Sequence, residues 1–200
     1  MLYVQSKIVI LKYYCIFVPM FDGIKSGLAR RKLLKARGVE PRCVRACGLE
    51  SANKVGILHD ATDEAQFEIA RKLLFILQKH IAFVKALGFV DSKELSDFHL
   101  QPLDFSFFCK NDLDWLGFPK EEAIAEFCNT DFDILICLDM EDKIPINYVK
   151  IKSKAGFKVG FYSETNSDLL DVMISLDEEN SSIEELVKQI LHYLENIRYE

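Results

Sequence analysis

The chain has 200 residues, 50% of them hydrophobic, 12% aromatic and 28% charged, which is ordinary globular usage and excludes a disordered or collagen-like chain. The length suits one domain. Residues 1–19 hold two lysines and no acid, and residues 20–50 hold eight basic residues against three acids, so the total of −6 leaves −13 on residues 51–200.

Residues 1–19, MLYVQSKIVILKYYCIFVP, open on an apolar run that Lys12 splits. No small-residue cleavage site follows, and a bilayer span needs about 20 apolar residues, so neither a signal peptide nor a spanning helix is expected. Met20 starts a stretch that reads as a native amino terminus, and residues 1–19 are read as an upstream extension. Residues 20–50 then form a basic arm, with Leu28, Leu33 and Leu34 as a narrow apolar stripe on a helix ending at Gly38.

From Lys54 strands and helices alternate. KVGIL is a short buried strand, Thr62 or Asp63 can cap the helix after it, and Phe67, Ala70, Leu73, Leu74 and Leu77 recur at helical spacing. Ile81 to Phe89 is the next strand, parallel to the first because a helix crosses between them. Asp104 to Phe108 reads as a strand, Asn111 to Trp115 as a turn, and Pro119 as the start of a helix with Glu121 and Glu122 in its first turn. Phe132 to Asp139, nearly all apolar, is the candidate central strand. A helix begins near Pro145, and strands follow at Phe157 to Ser163 and Asp171 to Leu176. Ser181 or Ser182, answered by Glu184 or Glu185 as a capping box, opens a last helix whose stripe is Ile183, Leu186, Val187, Ile190, Leu191 and Leu194. The alternation predicts an α/β, three-layer Rossmann-like sandwich over residues 51–200, with a mostly parallel sheet of five or six strands.

The loop after KVGIL sits where many α/β proteins hold a phosphate. It reads HDATDEAQ, with three acids and neither the glycines nor the lysine that phosphate cradles use, so a phosphate site there is not expected. What remains is an acidic rim at the carboxyl ends of the strands: His59, Asp60, Thr62, Asp63, Asp91, Asp139 and Ser163. Such carboxylates can hold magnesium or move protons, or can simply cap helices and turns. The basic arm offers Arg30, Arg31, Lys32, Lys35, Arg37, Arg42 and Arg45 to a polyanion, or packs against the acidic body. Cys109, Cys128 and Cys137 lie in apolar runs and read as small buried hydrophobes, and Cys43 and Cys47 lack partners for a zinc site. No catalytic cofactor or metal is implied, and with no secretory signature in the sequence, reduced thiols in the cytoplasm are the expectation. Trp115 is either a partner anchor or cover for a core edge.

The runs GILHDATDEAQFEIARKLL, VKALGFVDSKEL, FDILICLDMEDKIPINYVKIKSKAGFKVGFYSE and DLLDVMISL resemble an uncharacterised bacterial family of the Bacteroidetes group, from about Met20 onward. The resemblance implies the α/β fold, a basic amino-terminal helix and a bacterial cytoplasmic setting, and carries no activity. A shorter stretch, FDILICLD to FKVGFY, is similar to the amino-terminal half of heptosyltransferase-type glycosyltransferases, which close a nucleotide-sugar site between two domains. That likeness implies shared architecture, since this chain has no room for the second domain.

Two functions follow as expectations. One is a non-enzymatic binding or adaptor protein whose arm docks on RNA or the ribosome, a membrane surface or an acidic protein. The other is an enzyme or sensor in which His59, Asp60 and Asp139 surround a magnesium-bound nucleotide or nucleotide sugar.

Overall fold

The order of apolar runs along the chain translates into β1 (Lys54–Asp60), α1 (Glu64–Leu77), β2 (Phe83–Val90), β3 (Phe105–Cys109), α2 (Glu121–Asn129), β4 (Ile134–Leu138), α3 (Ile144–Lys152), β5 (Phe157–Phe161), β6 (Val172–Ile174) and α4 (Ile183–Asn196). The computed structural model describes residues 27–28, 31–33, 35, 42–100, 103–164, 168–177 and 181–197. The proposed extension and most of the arm, including Arg30 and Arg37, lie outside the described residues. The described residues between 27 and 35 are helical.

The strands form one six-stranded sheet in the order β3-β2-β1-β4-β5-β6, and every neighbouring pair is parallel. Because successive side chains point to opposite faces of a strand, each strand feeds two cores. Val55, Ile57, Ala86, Ile134, Ile136 and Val159 meet α1 and α4 on one face. Leu58, Leu87, Phe89, Phe108, Leu135 and Cys137 meet α2 and α3 on the other. Both faces being covered is why β4 has all five residues buried, as a central parallel strand requires.

Local signals place the helix ends. Asp63 caps α1, accepting from the backbone N–H of Ala65 at 2.8 Å and of Gln66 at 3.3 Å, and the buried stripe is Phe67, Ala70, Leu73, Leu74 and Leu77. Fully burying one such Leu or Phe is worth about 1.5–3 kcal/mol. Ser182 caps α4, but Glu185 does not reach back to complete a box: its carboxylate takes Lys188 Nζ at 3.2 Å and Gln189 Nε2 at 2.8 Å. Pro119 does not begin α2. It pairs with Leu113 across an antiparallel bridge, closing the turn around Trp115, and the helix starts two residues later at Glu121. The strands read as Phe157 to Ser163 and Asp171 to Leu176 are shorter, ending at Phe161 and Ile174, because the edge of the sheet runs out of partners.

Candidate functional site at the carboxyl ends of β1 and β4

In this strand order the connections run in opposite directions from β1 and β4, and ligands of such sheets bind in the crevice beyond the carboxyl ends at that switch. The residues delivered there are His59 and Asp60 from β1 and Asp139 just past β4. Strand alternation separates them: Asp60 and Asp139 turn to the α2/α3 face, and His59 turns to the α1/α4 face. The three therefore do not converge on one pocket.

Asp60 accepts from Thr62 twice, from the backbone N–H at 2.9 Å and from Oγ1 at 2.6 Å, and it forms an ion pair with Lys143, immediately before α3. This pair ties the β1–α1 loop to the β4–α3 loop directly across the switch point. Burial by itself pushes the Asp60 carboxyl up, but Lys143 and Thr62 outweigh it and hold it below the usual carboxylate range. Lys143 also faces Glu141 at 3.4 Å; burial works against its charge, yet the two carboxylates hold its ammonium above the ordinary lysine value.

One turn deeper, Asp139 and Lys150 form a buried pair at 3.3 Å, with Lys150 also donating to Asn147 Oδ1 at 3.0 Å and Asp139 accepting from the Glu141 N–H at 3.2 Å. Burial raises the Asp139 carboxyl despite these partners. Beside them the buried Lys158 of β5 donates to the Lys150 carbonyl in the last turn of α3, where the helix dipole favours a cation. Burial and the nearby Arg42 lower this lysine to about 8. The neighbouring thiols are inert: burial pushes Cys137 up to about 11 and Cys128 up to about 12.

On the opposite face His59 is 1% exposed and packs on Phe67, stacked at 6.2 Å, and on Phe105, edge-on at 5.8 Å. Its Nδ1–H donates to the Asp60 carbonyl at 3.0 Å, while Nε2 has no hydrogen-bond partner. Burial lowers its pKa to about 4, so the ring is neutral at physiological pH. His99 joins the same aromatic cluster, donating from Nε2 to the Ala61 carbonyl at 2.8 Å and accepting the Ser96 N–H on Nδ1 at 2.9 Å.

The other rim residues have separate employments. Thr62 Oγ1 also accepts the Asp91 N–H at 2.9 Å, Asp63 caps α1, and Asp91 pairs with Lys110 at 2.8 Å. Ser163 lies half-buried two residues beyond β5. A cleft of about 370 Å³ remains between the first turns of α1 and α4, lined by Asp60, Gln66, Asp139, Glu141, Ser182 and Glu184. Among the described residues no group of His, Cys, Asp and Glu is arranged to hold a metal ion.

Two side chains of the described part of the basic arm fasten it to the body through ion pairs. Lys32 pairs with Asp114 at 2.7 Å and lies 4.2 Å over the Phe118 ring; Arg42 makes a two-pronged bond to Asp171 at 2.6 and 2.8 Å and donates to the Ala155 carbonyl at 2.9 Å. These anchors sit at opposite ends of the sheet, Asp114 beyond β3 and Asp171 ahead of β6. Arg31 and Lys35 are exposed. Arg42 and Arg45 also line a hollow of about 740 Å³ at the amino ends of the strands, with Lys152, Lys154, Asp131 and Asp133. It stands at the wrong end of the sheet for the chemistry such folds perform, and Arg42 in it is already engaged by Asp171.

Sequence reasoning missed the lysines. Lys143, Asn147 and Lys150 fall at spacings of four and three, which sets them on one helical stripe, and the sequence reading assigned no face to this helix. Polar residues on a core stripe, next in the chain to a strand ending in Asp139, are the signal that would have found them.

The chain belongs to a family of unknown function, DUF6913, whose model matches residues 28–197. No curated protein and no solved structure matches it. No helix among the described residues is long and apolar enough to cross a membrane.

Proposed function

We propose that the protein is a binding or adaptor protein whose basic arm docks on an anionic macromolecule, with the α/β body as the platform that presents it. The observation that carries this reading is the way the arm helix is held. Lys32 and Leu33 are half-buried, while Leu28, Arg31 and Lys35, three and four residues apart, share an exposed stripe. Anchoring through Lys32 fixes the helix so that Arg31 and Lys35 face outward, and ordering them in advance lowers the entropic cost of meeting a row of phosphates or carboxylates. The body contributes the opposite character: Asp60, Asp91 and Asp139 are engaged by its own lysines.

The test is sedimentation of cell lysate at low and high salt. The protein is expected in a heavy fraction at low salt, released by high salt, and the Arg31→Glu/Lys35→Glu variant is expected in the light fraction throughout with its thermal melt unchanged. Identical sedimentation of variant and parent would overturn the reading.

A second reading rests on strand order and the cleft at the switch point: a nucleotide or nucleotide sugar, brought with magnesium, at Asp60 and Asp139. It requires opening the Asp60–Lys143 pair. A thermal shift with nucleotide and magnesium that disappears in Asp60→Ala would favour it over the first.

A further inference from the structure

We infer that the partner of the arm is a single-stranded nucleic acid, and that Trp115 is the platform on which one of its bases stacks; this rests on the arm reading above and names its partner class. Trp115 is 70% exposed, which is unusual for the largest apolar side chain, and it stands at the tip of a tightly built turn. Asp114 Oδ1 accepts the N–H groups of Leu116 and Phe118, both at 2.9 Å, the Asp114 N–H donates to the Phe118 carbonyl at 2.7 Å, and Gly117 takes the left-handed φ of +87° that closes the loop. The other oxygen of the same Asp114 holds Lys32 of the arm, and Phe118 of the same turn lies under that ammonium. Arm helix and turn are therefore joined through Asp114 and Phe118, and these two joined elements expose an indole, Trp115, and two cations, Arg31 and Lys35.

A planar aromatic next to cations is the arrangement that captures unpaired bases and their phosphates together. A duplex offers no free base face to Trp115. A membrane is met through a broad apolar face, whereas the indole follows Asp112 and Asp114 in the chain and the described part of the arm helix exposes Arg31 and Lys35 together with Leu28.

Trp115 is the only tryptophan of the chain, so its fluorescence reports on this site alone. The full chain is titrated with single-stranded oligoadenylate, with inorganic polyphosphate, which carries the charge without bases, and with vesicles of anionic phospholipid. Trp115 emission is expected to be quenched saturably by oligoadenylate and not by polyphosphate. By anisotropy of a labelled oligoadenylate, Trp115→Ala is expected to weaken binding about tenfold, the lower part of the range for one stacked base, with Trp115→Phe recovering part of the loss. Polyphosphate affinity is expected to be unchanged in Trp115→Ala. Equal binding of oligoadenylate and polyphosphate, both indifferent to Trp115→Ala, would overturn the stacking inference and leave the arm reading standing. A blue shift with vesicles and no response to oligoadenylate would overturn it in favour of a lipid surface. No binding to any of the three would remove both.

Discussion

On the α1/α4 face the polar group delivered by β1 is kept neutral and surrounded by aromatic rings; on the α2/α3 face the groups delivered by β1 and β4 are charged and each has a lysine. His59 and Asp60 are adjacent in the chain, yet one follows the first rule and the other the second. The difference follows from what each helix layer supplies. The layer of α1 and α4 brings Phe67 and a leucine stripe against His59, whereas Lys143, just before α3, and Lys150, on α3, meet the two carboxylates. A carboxylate turned toward the first layer would be buried without a partner, and an imidazole can be buried there only by giving up its proton.

The comparison breaks most visibly if one lysine is removed from the charged face. Lys150→Met leaves Asp139 buried opposite an apolar side chain, and the loss expected in urea unfolding is about 3–5 kcal/mol. Pairing it with Asp139→Leu is expected to restore most of that stability, because an apolar pair of similar volume needs no desolvation. A loss below about 1 kcal/mol in the single variant would mean that water reaches Asp139.

Acid tests the neutral face. The fold lowers the pKa of His59, so below pH 6.5 the unfolded chain binds a proton that the folded chain refuses, and stability falls as pH drops from 6.5 toward about 4. With the pKa at about 4, the loss across that window is about 3 kcal/mol, and His59→Phe is expected to flatten the profile there. An unchanged profile in that variant would place the acid sensitivity on another group.

The smallest effect is expected at the rim. Lys143→Ala removes the outer pair but leaves Asp60 its two bonds from Thr62, and with the lysine still 20% exposed at the rim the pair is worth about 1 kcal/mol. Because the fold lowers the Asp60 pKa, the contribution of this pair is present above the ordinary carboxylate value and fades as pH falls through the lowered one; the variant is expected to lose that acid dependence. If instead the variant gains affinity for nucleotides in a thermal-shift panel, the pair is a latch over the crevice and the second reading of function gains weight.

Much of the architecture was legible in local pattern. The five-residue stripe of α1, the Asp63 cap, the Ser182 cap and the near-continuous apolar run of β4 are each decided by residues within one or two turns of each other. Pro119 was misread because its preference for a first helical turn is only a local one, and the bridge to Leu113 overrode it. At the candidate site the rim residues were legible by type and position, and their partners were not. In the arm, Lys32 and Arg42 pack against the acidic body, and Arg31 and Lys35 are exposed.

By itself the sequence determined the alternation of strands and helices and narrowed the caps of α1 and α4 each to two neighbouring residues, because periods of 2 and 3.6 and capping chemistry act over a few residues. The tertiary structure alone decided that Lys143 meets Asp60 across 83 residues and that Arg42 meets Asp171 across 129, because those meetings depend on the spatial order of the strands. It also decided that Lys150 is buried rather than solvated: a lysine on a helix is equally at home in water, and only the placement of α3 over the end of β4 sets Asp139 against it.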